Sequence, residues 1–513
     1  MRRFLAASLV VLAFVAAFGQ KQTMVVYAYG SEMITLDPST EFSNSIIVLN
    51  NVYETLTRYV DGKLEPLLAT EWSANEDGTM WTFKLRKNVK FHDGTELTSE
   101  AVKFSIERTI RLAGGPAYIW DSVHEIETPD PYTVVFKLKY PANIPLIASA
   151  GYGAFIFSPK VAQIGDDEAV AKWFNAGNDA GTGPYTISKY DPKTQVVLRK
   201  FDGYWRGWTE RKFDIAVIQI VPDPSLRMQM VTSGKIHITR ELIYDDLKKL
   251  ESNPNVYINQ KPSFQVLYLF FNTKKFPFNN PDFRAAVAYA ISYKEIIDHV
   301  LLGYGLQPSG IIPKGMFGYA DHLPLLSQDL EKAKQLLAKS NVDPKNVKLV
   351  LTYLQSNESE KKASELIRAS LKKLGIEVEL RPMNWEQQWA WARSDPSKAQ
   401  DMFIMYWWPT VMTPYDFLFS MFHTEQEVLF NLSYYYNEEV DKLMDEAVQL
   451  EGTNPKRAEQ LYKMVETILR RDLPAVPLYQ INDIYVVHRS IKGFTSNPAY
   501  PNVVFFYELE SGS

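Results

Sequence analysis

One stretch of the sequence constrains the fold more than any other, because it joins two strand patterns through one helix pattern. The residues predict a strand over Val347–Leu354, a helix over Glu360–Leu374 with its apolar residues on one side, and a strand over Ile376–Leu380. Gly375 is placed to end the helix in the left-handed conformation. A strand, helix and strand of this length predict a parallel βαβ crossover, and therefore an α/β lobe.

Strand and helix patterns are interleaved elsewhere in the chain as well. Alternation of apolar and polar residues over Thr79–Arg86, Val134–Leu138 and Thr194–Leu198 is typical of half-buried strands. Further helices are predicted over Ser292–Leu302, Leu330–Lys339, Glu438–Leu450 and Lys456–Arg471. No internal repeat, low-complexity tract or long linker interrupts these patterns, so we expect compact lobes joined by short crossings.

Composition excludes several classes of protein. The chain has 513 residues, which suggests about two to four domains. It contains no cysteine, so disulfides, thiolate metal sites, a cysteine nucleophile and a lipid-bearing cysteine are all excluded. The net charge of −5 gives no reason to expect nucleic acid as a partner.

The first residues have the pattern of a secretion signal. Met1–Arg3 supply positive charge before the apolar stretch Phe4–Phe18, which is shorter than the roughly 20 residues needed to span a bilayer. Ala17–Gly19 fits a cleavage site, so residues 1–19 are predicted to be removed and the mature chain to begin near Gln20. An uncleaved membrane anchor is the alternative. We expect an exported, soluble protein retained in a periplasm.

The sequence gives no sign of catalysis, of a cofactor or of a metal site. No two of the seven histidines lie three or four residues apart, and the common hydrolase, zinc-protease and nucleotide-binding motifs are absent. Adjacent acids such as Asp166 and Asp167 are typical of a solvated surface rather than of a glycosidase pair. His92–Gly94 resembles an acid–base dyad, but Asp-Gly after a strand favours a turn.

Six motifs occur in one order over almost the whole mature chain. They are GKLEPLLATEW followed by DGTMWTFKLRKNVKFHDGTELTSEAVKFSIER (62–108), GTGPY (181–185), FDGYWRG (201–207), SGKIHI (233–238), FFNTKKFPFNNPDFRAAVAYAISYKEII (270–297) and LPAVPLY (473–479). Together they closely resemble the signature of the family 5 extracytoplasmic solute-binding proteins, which are receptors of ABC importers for oligopeptides and related ligands.

The resemblance implies an α/β fold of the type II periplasmic-binding-protein class, with two α/β lobes, a hinge and an additional domain. By similarity, lobe I comprises residues 20–50, 180–260 and 475–513, the additional domain residues 51–179, and lobe II residues 261–474. It also implies a membrane ABC permease as partner, and we expect the receptor to be a monomer.

Most residues of the signature are interpreted as structural. Four are expected in the core: Trp81, Phe83, Leu85 and Phe91. Three glycines are expected to serve turns: Gly94, Gly181 and Gly183.

An unusually dense group of aromatic residues lies in the second half of the chain. Trp385, Trp389, Trp391, Trp407 and Trp408 fall within a short stretch together with Tyr406. Such side chains stack on sugar rings or contact peptide side chains, although a buried aromatic cluster is the alternative. Trp385 and Trp389 are four residues apart, which places both on one face of a helix.

The family resemblance also bears on the ligand. In its peptide receptors, an aspartate a few residues past this aromatic strand pairs with the N-terminal amine of the ligand, and alignment on Pro414 places Thr410 at that position. A desolvated ammonium group needs a charge partner. The absence of an acid between Trp407 and Pro414 therefore argues against peptides with a free amine, unless Asp416 substitutes.

These arguments predict an oligosaccharide as the ligand, with an oligopeptide as the alternative; a secreted glycosidase and a chaperone-like or sensory subunit are further alternatives. By the same resemblance, the stretch 41–43 should line the lobe I side of the cleft and 406–408 the other. The predicted ligand-binding residues are Glu41, Phe42, Ser43, Trp385, Trp389, Tyr406, Trp407, Trp408 and Thr410.

Overall fold

The computed structural model describes residues 23–355, 357–426 and 428–512. The predicted signal segment lies outside these residues. The strands are β1 Met24–Tyr29, β2 Thr57–Val60, β3 Lys63–Pro66, β4 Ala69–Ala74, β5 Met80–Leu85, β6 Val123–Asp130, β7 Thr133–Leu138, β8 Tyr185–Asp191, β9 Gln195–Lys200, β10 Ile215–Ile220, β11 Ile238–Arg240, β12 Val256–Phe271, β13 Gly305–Leu306, β14 Lys348–Leu354, β15 Glu377–Met383, β16 Met402–Trp407, β17 Ala475–His488, β18 Ile491–Lys492 and β19 Glu510–Ser511.

The helices alternate with these strands along most of the chain. They are α1 Ile46–Val52, α2 Ser99–Leu112, α3 Ile144–Ile147, α4 Asp167–Asn175, α5 Pro224–Thr232, α6 Tyr244–Leu250, α7 Pro281–Ala290, α8 Tyr293–Val300, α9 Leu330–Lys339, α10 Glu358–Lys372, α11 Trp385–Ala392, α12 Tyr415–Phe422, α13 Glu438–Leu450 and α14 Pro455–Asp472. In the described part of the chain, no helix has both the length and the apolar character needed to cross a bilayer.

The predicted βαβ crossover is confirmed. β14 and β15 are parallel neighbours, with Lys348 opposite Glu377 and Leu354 opposite Met383, and α10 connects them. Gly375 follows the helix with φ of 80°, the left-handed conformation that ends it.

The main sheet runs through both lobes. Its strand order is β15-β14-β16-β12-β17-β11-β1-β10-β9-β8, with β13 paired to β17. We call the half from β11 to β8 lobe I and the half from β16 to β15 lobe II. Both lobes combine this sheet with helices, so the predicted α/β fold with two lobes is confirmed.

The antiparallel pair β12 and β17 forms a hinge ribbon between the lobes. One end of the ribbon pairs with β11 in lobe I, and the other end pairs with β16 in lobe II. The register between β12 and β17 shifts between Pro262 and Val266, opposite Asn482 and Gln480. A second shift lies between Leu267 and Tyr268, and such irregularities interrupt the ladder and bend the strand locally.

Alternation along the strands distributes their side chains between separate cores. On β1, Val25, Tyr27 and Tyr29 pack into one hydrophobic cluster, whereas Val26 and Ala28 pack into another on the opposite face. A strand covered on both faces is apolar at almost every position, which explains the continuous apolar sequence of β1.

The additional domain is built around a sheet of strand order β4-β5-β7-β6, against which α2 packs. The four signature residues predicted in the core are all buried: Trp81, Phe83, Leu85 and Phe91.

The signature glycines have two different roles. Gly94 has φ of 83° in the turn after Asp93, as predicted. Gly181 and Gly183 lack a positive φ, and a Cβ atom on them would lie 1.9 and 2.6 Å from the carbonyl oxygen of Val52. These two positions require glycine because their backbone approaches the end of α1 closely. This corrects the expectation that Gly181 and Gly183 serve turns, and the sequence pattern alone did not indicate it.

Candidate functional site

The two lobes direct the same ends of their parallel strands toward each other. Arg240 at the end of β11 lies opposite Tyr485, and Trp407 at the end of β16 lies opposite Val266, so both strands end near the middle of the hinge ribbon. β1 and β10 run in the direction of β11, and β14 and β15 in the direction of β16. Ligands of open α/β sheets bind beyond the carboxyl ends of the strands. The loops that follow these ends therefore form the candidate site.

Glu41 lies in the loop after β1 and holds that loop in shape. It is 0% exposed, and its Oε1 accepts hydrogen bonds from the Ser43 N–H at 2.8 Å, the Ser43 hydroxyl at 3.0 Å and the Ser45 N–H at 2.9 Å. Its Oε2 is enclosed and has no hydrogen-bond partner among the described residues. Burial raises the pKa of this carboxyl. Glu41 is thus folded into its own loop.

Phe42 is presented by the same loop toward the additional domain. Its ring makes edge contacts with Tyr152 at 5.2 Å and Tyr118 at 6.4 Å between centroids, and 46% of the residue remains exposed. The Tyr152 hydroxyl donates a hydrogen bond of 3.1 Å to the Ser43 carbonyl. The predicted stretch 41–43 is therefore fixed against the additional domain, with Phe42 as its exposed apolar surface.

The aromatic residues at the end of β16 face different environments. Tyr406 is hydrogen-bonded to the Tyr479 hydroxyl at 2.7 Å and packs on the lobe II core. The Trp407 indole N–H donates to the Asp416 carbonyl at 2.6 Å, and its ring makes an edge contact with Phe430. Trp408 is 56% exposed. Of these three residues, Trp408 offers the largest free aromatic surface.

The helix predicted to carry Trp385 and Trp389 is α11. Trp389 is half-buried and contacts Phe430 at 5.7 Å between ring centroids. Phe430 thus lies between Trp389 and Trp407. Trp385 begins the helix, and its side chain lies outside the described residues. Part of the aromatic group is therefore mutual packing, as the alternative interpretation expected.

Thr410 lies in the loop after β16, and Asp416 holds that loop. Asp416 Oδ2 accepts the Thr410 N–H at 2.6 Å and the Val411 N–H at 3.0 Å. Burial raises the Asp416 pKa to about 6, although the two N–H groups act in the opposite direction. Thr410 also lies beside the Tyr118 hydroxyl of the additional domain. An acid is therefore present near Thr410 after all, six residues further along the chain.

A cavity of about 150 Å³ lies between the additional domain and lobe II. Asp416 and Glu451 both line it, and each is 8% exposed. Glu451 accepts short hydrogen bonds from the hydroxyls of Thr413 and Tyr462. Burial raises the Glu451 pKa to about 7, and the charge of Asp416 adds to the increase. The cavity thus contains two carboxyl groups that sequence analysis had not placed together.

Sequence analysis also missed exposed apolar residues at the carboxyl edges of the strands. Ile34 follows β1, Leu226 lies in the first turn of α5 after β10, and Ile243 follows β11; they are 71%, 47% and 51% exposed. The available signal was their position just after buried strands. Like Phe42 and Trp408, they are exposed apolar residues in the segments that follow the strands.

His92, in the stretch 92–94 that resembles an acid–base dyad, has a structural role. Its Nδ1 is hydrogen-bonded to Asp179, and its Nε2 lies 2.9 Å from the Gly183 carbonyl oxygen. The described part of the chain contains no group of three or more His, Cys, Asp or Glu residues placed to hold a metal ion.

Comparison with known proteins places this architecture in a family. A family model described as bacterial extracellular solute-binding proteins, family 5 middle, matches residues 63–427. This range includes the additional domain, the hinge strand β12 and the loop that carries Thr410.

Curated relatives and a solved structure match over nearly the whole chain. A probable D,D-dipeptide-binding periplasmic protein of Escherichia coli K12, DdpA, is 32% identical over 94% of this chain and 93% of its own length. The glutathione-binding protein GsiB of the same strain is 27% identical with the same coverage. The structure of DppA from Helicobacter pylori in complex with the peptide STSA superposes with a TM-score of 0.77 and 24% identity, covering 95% of this chain and 98% of that one.

Proposed function

This chain belongs to the bacterial extracellular solute-binding proteins of family 5 and is a solute-binding receptor of an ABC importer, and we propose that it captures a short peptide in the cleft between its two lobes. In this proposal the lobes close about the hinge ribbon and bury most of the solute, as in other hinged receptors. The receptor works outside the cytoplasmic membrane as a monomer and delivers the peptide to a membrane permease. It carries out no chemical step on the solute.

The observation that carries this proposal is the identity of the full-length relatives. The two relatives described above, which each match 94% of this chain, are named for a D,D-dipeptide and for glutathione, which is itself a peptide. The matched range covers nearly the whole chain, so the similarity that supports the proposal is not confined to one domain.

The chemistry of the cleft supports a small solute with both apolar and polar parts. Phe42 and Trp408 are exposed on opposite walls and offer apolar contact area. The carboxyls of Asp416 and Glu451 lie at the cavity beside Thr410, where they can receive hydrogen-bond donors. A short peptide supplies apolar side chains and amide donors in one molecule.

A neutral oligosaccharide is the second candidate. The specific observation in its favour is that Thr410, and not an acid, stands at the family's amine-binding position, while exposed Trp408 offers a surface on which a sugar ring can stack. This candidate requires that the cavity carboxyls accept sugar hydroxyls instead of a cationic group.

A thermal-shift screen tests the proposal. The purified protein is heated with a panel of di- to pentapeptides and, separately, with neutral β-linked oligosaccharides. A ligand at about 100 times its dissociation constant adds roughly 2.7 kcal/mol to the free energy of unfolding, which gives a clear rise in melting temperature. We expect peptides to raise it and oligosaccharides to leave it unchanged.

Two other outcomes would change the conclusion. Stabilisation by oligosaccharides alone would replace the peptide proposal with the second candidate. Release of product from a chromogenic glycoside under the same conditions would contradict the non-catalytic part of the proposal, because a receptor binds without turnover.

A further inference from the structure

Two glycines mark a close contact between the additional domain and lobe II. Gly452 lies in the turn between α13 and α14, and a Cβ atom there would lie 2.7 Å from Cζ2 and 3.4 Å from Cη2 of Trp81 in β5. Gly78 lies in the turn between β4 and β5, and a Cβ atom there would lie 3.1 Å from Cγ2 of Thr453. Each side therefore approaches the other at a position that carries no side chain.

The backbone does not require glycine at position 452. Its φ lies outside the left-handed region, in contrast to Gly78, which has φ of 70° and serves its turn. The three atoms nearest to a Cβ at Gly452 all belong to the additional domain, two to Trp81 and one to Asn143. Gly452 is therefore explained by the approach of the additional domain and not by the conformation of its own turn.

The additional domain is attached to lobe I. Its strands β2–β7 lie between α1 and β8 in the chain, so both of its connections lead to lobe I. Buried Arg108 pairs with Asp37, which lies in the loop after β1. The Tyr500 hydroxyl of the C-terminal segment donates to the Ser149 carbonyl at 2.8 Å. The additional domain and lobe I are thus expected to move together.

The turn that carries Gly452 belongs to lobe II. α13 packs against α12 and α14, and Phe422 of α12 stacks on Phe270 of β12, beside β16. Helices α7–α14 all lie between β12 and β17 in the chain, so lobe II is joined to the rest through these two strands. A rotation of lobe II about the hinge ribbon therefore carries Gly452 away from Trp81 without breaking the fold of either side.

The contact is apolar on the side of the additional domain. Trp81 is buried and belongs to one hydrophobic cluster with Met444 of α13 and Tyr462 of α14. Its indole N–H donates to the Ala142 carbonyl at 2.9 Å within the additional domain, so this hydrogen bond is kept when the lobes separate. Removal of the ring edge from water stabilises the closed arrangement.

We propose that the additional domain is a closing surface for lobe II, and that the meeting of Trp81 with Gly452 on closure raises the affinity for the solute. The proposal rests on the proposed function, because closure about the hinge ribbon is part of solute capture. Trp81 and Gly452 are positioning residues. They act on the equilibrium between the open and closed forms and do not need to touch the solute.

Gly452→Ala tests the contact, because an added methyl group fits when the lobes are apart and collides with Trp81 when they meet. We expect affinity for a bound solute to fall about tenfold, and the melting temperature of the ligand-free protein to change by less than about 2 °C. Gly114→Ala is the matched control and should change neither. Its φ is −105°, and the nearest atoms to a Cβ there are 3.8 Å away.

Trp81→Phe supplies a rescue. Phenylalanine lacks the outer ring atoms that a Cβ at Gly452 would approach. In the Trp81→Phe background, Gly452→Ala should therefore reduce affinity by less than about threefold. A tenfold loss in both backgrounds would mean that the methyl group acts through something other than this contact.

Spin labels report the closing of the two sides directly. The chain has no cysteine, so labels attached at Glu76→Cys and Lys456→Cys, which are exposed near the two turns, report this distance alone. Electron paramagnetic resonance is recorded without solute, with Ala-Ala-Ala and with cellobiose, and calorimetry measures affinity for the same two probes. We expect a short distance in the wild-type background that Gly452→Ala makes rarer and that the double variant with Trp81→Phe restores.

The outcomes separate this inference from the proposed function. If Ala-Ala-Ala binds but Gly452→Ala leaves its affinity and the label distances unchanged, the closing surface is overturned and the receptor proposal stands. If only cellobiose binds and the variants behave as expected, the closing surface holds and the peptide proposal fails. A melting temperature lowered by more than about 5 °C with unchanged distances would identify permanent packing and overturn the inference. A wild-type protein without the short distance under every condition would also overturn it.

Discussion

The additional domain meets the two lobes in different ways. Against lobe I, Arg108 makes two hydrogen bonds of 2.7 Å to Asp37, and both side chains are 1% exposed. Against lobe II, Asp416 and Glu451 are buried at a cavity, and neither has a basic partner among the residues that the structure describes. A buried acid with its own arginine fixes two parts of the molecule together, whereas burial without such a partner raises the pKa of Asp416 to about 6 and that of Glu451 to about 7. The first junction is therefore held by a buried ion pair, whereas the acids of the second are held by hydrogen bonds alone among the described residues.

The lobe I junction is closed by further contacts of the same kind. Glu54 is buried and accepts hydrogen bonds from Thr182, Tyr204 and Trp205 at 2.9 to 3.1 Å. The loop that carries Glu41 begins just after Asp37, so one wall of the cleft is positioned by this junction. Its rigidity is therefore a condition for a preformed cleft.

The largest expected effect comes from breaking the ion pair at the lobe I junction. Asp37→Ala removes the two short hydrogen bonds of buried Arg108 and leaves it only the contact with Asp167, so the free energy of unfolding should fall by about 3–5 kcal/mol. Denaturant unfolding measures the change. Asp167→Ala is the control: Asp167 also contacts Arg108, at 3.2 Å, but is 35% exposed, and its loss should cost less than about 1 kcal/mol. Equal losses in both variants would contradict a special role for the buried pair.

A second change tests how tightly lobe I is packed at the same junction. A Cβ atom at Gly181 would lie 1.9 Å from the Val52 carbonyl oxygen, so Gly181→Ala should destabilise the protein by about 1–3 kcal/mol. Thermal unfolding reports this change. At Gly114 the nearest atoms to such a Cβ are 3.8 Å away, and Gly114→Ala should have little effect. If Gly181→Ala leaves the melting temperature unchanged, the backbone at this junction can move to accommodate the added Cβ atom, which would contradict tight packing.

Asp416 at the lobe II junction should make the free energy of unfolding depend on pH. Because burial raises the Asp416 pKa to about 6, folded Asp416 holds a proton that the unfolded chain has already lost between about pH 4 and pH 6. The folded state therefore gains stability as pH falls from about 8 to about 5. Asp416→Asn should remove a part of this gain on the order of 1 kcal/mol.

The pH prediction has a control with the opposite sign. Hydrogen bonds from the Ser397 hydroxyl and N–H lower the pKa of exposed Asp395, so its contribution is lost only as pH falls below this range. Asp395→Asn should leave the dependence between about pH 8 and about pH 5 unchanged. If the two variants behave alike, burial of Asp416 does not control its titration.

The smallest effects are expected at the exposed aromatic residues. Phe42→Ala and Trp408→Ala should each weaken ligand binding by about fivefold, and change the melting temperature of the free protein little, because both side chains are about half exposed. Calorimetry with a ligand from the peptide screen measures the affinity. Leu325→Ala is the control, since Leu325 is similarly exposed, at 55%, and lies in the loop before α9, which does not directly follow any of the strands β1, β10, β11 or β16. A larger effect at Leu325 would place the ligand elsewhere.

Much of the fold follows from local sequence. The βαβ unit of β14, α10 and β15 is evident because each element shows its own periodicity and Gly375 marks the helix end. The core positions Trp81 and Phe83 alternate on one strand, which fixes the face they share. These features depend on neighbours within a few residues, so a single sequence is sufficient to predict them.

The candidate site was only partly accessible to the same reasoning. Phe42 lies in the loop after β1 and Trp408 directly after β16, and their assignment as ligand-binding residues stays a prediction. The prediction about Thr410 depended on the absence of an acidic residue between Trp407 and Pro414 in the sequence. Asp416 reaches the Thr410 N–H by a turn of the backbone, and Glu451 reaches the cavity from the far end of α13. Neither approach leaves a pattern in the sequence.

The sequence by itself determined the α/β character, the family and the existence of a two-lobed receptor, because periodicity and ordered motifs record which faces are buried and which turns are needed. Only the tertiary structure decided which buried acids are satisfied within the protein. Arg108 compensates Asp37, Glu41 closes its own loop, and Asp416 and Glu451 line a cavity and accept hydrogen bonds from neighbouring loops and helices. The physical reason is that the free energy of a buried charge depends on the atoms within a few ångströms of it, and those atoms come from residues far apart in the chain.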